Sequence, residues 1–145
     1  MKTTLILLAL MTPGLAMAKC PAGQDQVFSC PTDLGGSLNI CQAEQAITLT
    51  HVEEGKVVGD VSVPNAQFKW KRAANDYNTT DTQTELTFEN DSIEYSITTH
   101  EIKGDSASNA ADIVYKTHGE KMQFINCLPS KPKFDHRKIK APQSP

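Results

Sequence analysis

From Gln26 onward the chain is written in short runs of five to nine residues in which apolar and polar side chains tend to alternate. Clusters of Gly, Pro, Asn and Asp separate the runs. A period of two places successive side chains on opposite faces of an extended strand, so each run predicts a half-buried β-strand. The predicted strands are QVFSC (26–30), SLNIC (37–41), AITLTHV (46–52), KVVGDVSV (56–63), QFKWKR (67–72), TELTFE (84–89), SIEYSITTH (92–100), ADIVYK (111–116) and KMQFINC (121–127). In the third, Ile47, Leu49 and His51 share a face. In the fifth, Phe68 and Trp70 face the core while Lys69 and Lys71 face water. In the seventh, Ile93, Tyr95 and Ile97 point inward, the clearest alternation in the chain.

The connections carry turn chemistry. PTDLGG, EEG, Pro64-Asn65, Asn90-Asp91 and THGE read as turns. Two longer polar stretches, 73–83 and 103–110, read as loops. About nine short strands and almost no helical period predict a single all-β domain, an antiparallel β-sandwich or small barrel.

The first 18 residues break this pattern. Lys2 precedes the apolar run Leu5–Met11, Pro13 and Gly14 interrupt it, and Ala16-Met17-Ala18 is a small-x-small site. That layout predicts a secretory signal peptide over 1–18, cleaved after Ala18. The run is too short to span a bilayer, which takes roughly 20 residues. Lys19 stands before Cys20, where a lipid anchor requires a small residue, so no lipid anchor is expected. The expected location is periplasmic or secreted.

An oxidising compartment and four cysteines, Cys20, Cys30, Cys41 and Cys127, predict two disulfides. No C-x-x-C pair is present to suggest a zinc ribbon or a redox dithiol. Three pairings are open. Cys30–Cys127 would tie the first strand to the last, and Cys20–Cys41 would pin the N-terminal segment. Cys30–Cys41 with Cys20–Cys127 is nearly as compatible with the strand pattern.

Charge divides the mature chain. Residues 19–127, the predicted disulfide-bonded β domain, hold eight basic and sixteen acidic residues. Residues 128–145 hold Lys131, Lys133, Arg137, Lys138 and Lys140 against Asp135 alone. This Pro-rich tail has no usable period and is predicted to be disordered. Its five cations are candidate partner contacts for a protein or a cell-envelope polymer. A net acidic, exported chain is not expected to bind nucleic acid.

No catalytic pattern assembles. H-E-x-x-H, G-x-S-x-G and P-loop motifs are absent. His51, His100, His118 and His136 fall in four separate segments, and the paired acids Glu53-Glu54 sit in a turn rather than across a cleft. No catalytic residue, metal ligand or cofactor is expected, and the chain is not expected to be an enzyme.

The stretches VFSC and NIC, with the late SIEYSI and the closing GEKMQFINC, resemble a set of small exported proteobacterial proteins. The resemblance covers most of the mature chain to Cys127 and implies an exported β-domain without implying an activity. AITLTHVEEG departs from the aromatic, basic strand of that set, and the tail is additional. A looser similarity is to periplasmic inhibitors of lysozyme, small β-barrels with an early aromatic-x-Cys strand, here Phe28-Ser29-Cys30, and a late cysteine. Their inhibitory loop has no residue-by-residue match here. The expectation is a non-catalytic binding protein, an inhibitor or immunity protein against a cationic or cell-wall-active enzyme. The alternatives are an envelope-associated protein using its basic tail, and a small hydrolase.

Overall fold

The computed structural model describes residues 19–75, 78–89, 93–102, 109–128 and 133–145. The predicted signal peptide, the Asn90-Asp91 turn, the 103–108 stretch and Lys131 lie outside the described residues. Ten strands form: β1 (Asp25–Pro31), β2 (Ser37–Gln42), β3 (Ala46–Glu53), β4 (Lys56–Pro64), β5 (Lys69–Asn75), β6 (Asn78–Glu89), β7 (Ile93–Ile102), β8 (Asn109–His118), β9 (Lys121–Ile125) and β10 (Lys133–Phe134). A 3₁₀ turn, His136–Lys138, follows β10. Among the described residues no helix is long and apolar enough to cross a membrane.

Two antiparallel sheets result, in the orders β10-β1-β2-β3-β4 and β5-β6-β7-β8-β9. Neither closes on itself, so the sandwich form of the expectation holds and the barrel form does not. The alternation read from the sequence sets the inner faces. Leu38, Ile40, Ile47, Leu49 and Val61 of the first sheet meet Leu86, Phe88, Tyr95, Ile97 and Val114 of the second in one buried core. Each fully buried aliphatic or aromatic side chain contributes on the order of 1.5–3 kcal/mol. Phe68 is buried, and Lys69 and Lys71 reach solvent where they pair with Glu89 and Glu85.

The disulfides are Cys20–Cys41 and Cys30–Cys127. Cys30 lies in the core between the sheets, and Cys127 follows β9. Their sequence separation is 97 residues, against 21 for the other bond. In the chain-entropy view the long closure contributes about 5 kcal/mol and the short one about 3. Cys41 points away from the core on β2, so Cys20 lays the N-terminal segment over the outer side of that strand.

Three expectations are corrected. The 73–83 stretch is not a loop, because β5 runs to Asn75 and β6 starts at Asn78, with Ala73 opposite Gln83 and Ala74 opposite Thr82. Its threonines are β-branched and suit a pleated ladder even though they are polar. The 103–110 loop is shorter than expected, since β8 begins at Asn109.

The third correction is the largest. The described part of the tail is packed rather than disordered. Lys133 and Phe134 pair with Ser29 and Phe28 as the tenth strand, and Phe134 and Ala141 are buried. Beyond them the chain reaches the other sheet. The Trp70 indole N–H donates to Ala141 O at 3.0 Å, the Trp70 backbone N–H donates to Ser144 Oγ at 3.2 Å, and Ser144 N–H donates to Trp70 O at 2.8 Å. Gln143 Nε2 donates to Arg72 O at 3.0 Å. Buried Gln42 accepts from Lys140 N–H at 3.1 Å, while its own amide donates to Asn65 Oδ1 and to carbonyls of the β2–β3 turn. The tail is therefore a strap from the edge of one sheet to the edge of the other.

Candidate functional site

The inner face of the second sheet is apolar at its middle and polar at both ends. At one end Arg72 on β5, Thr84 on β6 and Thr99 on β7 form a cross-strand row, followed by Thr82 with Glu101. Arg72 donates to Glu101 and, at 3.1 Å, to Thr84 Oγ1. His136, from the strap, places Nδ1 3.6 Å from Glu101 Oε1 without hydrogen-bond alignment. Burial, and then the Arg72 charge, hold His136 below the ordinary histidine value. On the outer face of the same strands, His100 Nδ1 and Asp81 Oδ2 are 2.9 Å apart. Acid–base groups gather here, but among the described residues no Ser or Cys stands with them, and the strap lies across this end.

At the other end three cross-strand rows follow one another. Ile97, Val114 and Ile125 are buried core. Tyr95, Lys116 and Gln123 form the next row, and Ile93, His118 and Lys121 the last. The tight turn Gly119-Glu120 joins His118 to Lys121. Gly119 has φ +60°, a left-handed value that a two-residue hairpin can require at its first position and that glycine adopts without a Cβ penalty. Lysines 116 and 121, His118, Gln123, Ile93 and Met122 line an open concavity of about 640 Å³.

Behind the concavity lies a buried polar pair. Tyr95 and His51 are both fully buried, their rings edge to face, with Tyr95 Oη 3.4 Å from His51 Nδ1. Gly59 makes room for the phenol, since a Cβ there would sit 1.9 Å from Tyr95 Oη. His51 Nε2 stands 3.3 Å from Glu53 Oε1 without hydrogen-bond alignment. Burial lowers the His51 pKa, against a smaller raising effect of Glu53. Burial, and then Glu53, push the Tyr95 phenol up to about 12. At neutral pH the pair is therefore a neutral hydroxyl beside a neutral imidazole, fitted for structure rather than for proton transfer with solvent. Lys116 Nζ lies over the Tyr95 ring, 5.7 Å from its centre, and donates to Val58 O at 3.4 Å.

The outer side of the same hairpin is apolar. Met122 and Phe124, two positions apart on β9, are each 60% exposed. β9 ends its sheet, with no strand beyond it in the order.

The structure distributes the tail cations rather than gathering them. Lys133 is exposed on β10. Arg137 is clamped to Asp135 by bonds of 2.8 and 3.1 Å, which hold the Asp135 carboxyl below its usual range. Lys138 Nζ donates to Gln26 O at 3.3 Å, and the Lys140 backbone serves Gln42. Sequence reasoning missed the grouping of Lys116, His118, Lys121 and Gln123. Its signal was present: Lys116 and His118 before the turn, and Lys121 and Gln123 after it, share one face by period two. Among the described residues no group of three or more His, Cys, Asp or Glu is placed to hold a metal ion.

No protein-family model, curated protein or solved structure matches this chain.

Proposed function

We propose that this chain is an exported, non-catalytic binding protein of the inhibitor or immunity kind, acting on a secreted or cell-wall-active enzyme. The observation that carries the reading is the pair Met122 and Phe124, exposed together on the terminal strand β9. Isolated surface apolar residues need no explanation, but two large ones side by side on a sheet edge make a patch suited to a protein partner. An edge strand also offers backbone pairing to an incoming segment. Two disulfides suit an oxidising compartment. The excess of acidic residues, 17 against 14 basic, favours encounter with a cationic enzyme.

The envelope-associated alternative draws on the tail cations, and Arg137 and Lys138 are engaged by the chain's own atoms. The hydrolase alternative would rest on Glu101, His136 and Arg72, which the strap crosses.

Purified protein titrated into lysozymes and other peptidoglycan hydrolases should suppress turnover at micromolar concentration, and Phe124→Ser should lose the effect. Full turnover at saturating protein removes the inhibitor reading. Substrate turnover by the protein alone removes the non-catalytic one.

A further inference from the structure

The concavity beside the β8–β9 turn shares Met122 with the exposed pair on β9, but Phe124 is not among its lining residues. Cations on this sheet are otherwise matched. Lys69 pairs with Glu89, Lys71 with Glu85 and Arg72 with Glu101. Lys116, His118 and Lys121 form no ion pair among the described residues, in a chain whose formal net charge is −3. Glu94 follows Ile93 in sequence and Glu120 lies exposed in the turn, but none of the lining residues is acidic. Lys116 is positioned rather than free-swinging, held by Val58 O and the Tyr95 ring. Gln123 adds an amide donor, and Ile93 and Met122 give the cavity an apolar wall. Its volume, about 640 Å³, falls within the roughly 300–1,000 Å³ common for small-molecule sites.

We infer that this concavity binds a free anionic amphiphile: a carboxylate or phosphate group seated on Lys116 and Lys121, joined to an apolar chain lying on Ile93 and Met122. Ammonium groups recognise such anions by charge-assisted hydrogen bonds, which are stronger than neutral ones. Met122 belongs to both surfaces and Phe124 does not line the cavity, so Phe124 variants separate this inference from the proposed enzyme partner.

The test is calorimetric titration of the full mature chain with decyl phosphate and with decanoate, each below its micelle concentration. Saturable one-to-one binding of either is expected. Lys121→Gln should weaken it by about tenfold, the loss of one charged contact, and Lys69→Gln, on β5 and paired with Glu89, should not. Lys121 is exposed, so its substitution leaves folding intact. Decanol binding as tightly as the anions, or an unaltered affinity in Lys121→Gln, would overturn the site. Inorganic phosphate binding as tightly as decyl phosphate would remove the apolar subsite. Association with phosphatidylglycerol vesicles without binding of either free amphiphile would assign the cations to a membrane surface and overturn the inference. Phe124→Ser should leave amphiphile binding unchanged, so failure here and failure of the enzyme reading are separable.

Discussion

The two edges of the second sheet meet opposite fates. At β5 the C-terminal strap bonds to both the N–H and the carbonyl of Trp70 and to the Arg72 carbonyl. At β9 the strand order simply ends, with Met122 and Phe124 in solvent. The inner-face polar groups follow the same division. Arg72 and Glu101 neutralise each other under the strap, while Lys116, His118 and Lys121 form no ion pair among the described residues and line an open concavity. An unprotected edge invites unwanted pairing, and folded proteins usually cover or charge it. This chain covers one edge with residues 133–145, and among the described residues no strand lies beyond the other. The difference separates stability from the proposed recognition: the sealed end holds the sandwich shut, and the open end carries the surfaces proposed for a partner and a ligand.

Cutting the strap should give the largest effect. Deleting residues 131–145 removes buried Phe134 and Ala141 and the cover of Trp70. Loss of a buried Phe alone costs about 3–5 kcal/mol. A drop of at least that size in urea-unfolding free energy is expected, and unchanged stability would mean the strap is decorative. Next in size is Gly59→Ala, behind the open end. Its methyl would strike the Tyr95 hydroxyl, so the phenol must move, at about 1–3 kcal/mol by analogy with overpacked cores. Near-ultraviolet dichroism should report the displaced Tyr95; an unperturbed spectrum and stability would show that the pocket is looser than drawn.

Acid should act more gently, and at both ends. Burial keeps His51 below the ordinary value of 6.5, and His136 shifts the same way. Above pH 6.5 the ring is neutral in folded and unfolded chains, and His51 adds nothing. As pH falls through 6.5 the unfolded chain takes up a proton that the folded chain refuses, so stability declines. The decline stops once the pH passes the lowered folded pKa. Groups facing His51 are Tyr95, Glu53 and Lys116. Urea midpoints from pH 8 to pH 5 should fall, and His51→Gln should flatten the trend more than His136→Gln, because His51 is the more buried. Equal slopes in wild type and both variants would remove the argument. The smallest change is expected at the open edge. Met122→Thr with Phe124→Thr should alter stability by no more than about 0.5 kcal/mol, since both are exposed. A large loss there would mean that the β9 patch is part of the core after all.

The sequence made the sandwich readable because alternation is enforced by burial. Ile47, Leu49 and His51 share the buried side, and Tyr95 and Ile97 face in as the pattern required. The strand pattern left the cysteine pairing open between two arrangements, and the structure has Cys20–Cys41 and Cys30–Cys127. Legibility failed where tertiary contacts rather than periodicity decide the outcome. Phe134, Ile139 and Ala141 are spaced irregularly among prolines and lysines, yet Phe134 and Ala141 are buried and Ile139 packs against the core, on partners more than sixty residues away in sequence. The basic concavity was hidden for a different reason. Its cations are ordinary surface residues taken singly, and only the two-residue turn at Gly119 folds them onto one face.

The strap also has a meaning in time. β1 is the first strand made, and its outer neighbour in the sheet is β10, about a hundred residues later. A nascent chain therefore carries its first strand half-paired until Lys133 and Phe134 have emerged. Contacts this distant along the chain place folding toward the slow end for small domains, in milliseconds to seconds. Loss of residues 133–145 would thus uncover β1 in one sheet and β5 in the other, turning a late stop codon or a tail-clipping protease into an aggregation hazard rather than a silent trim.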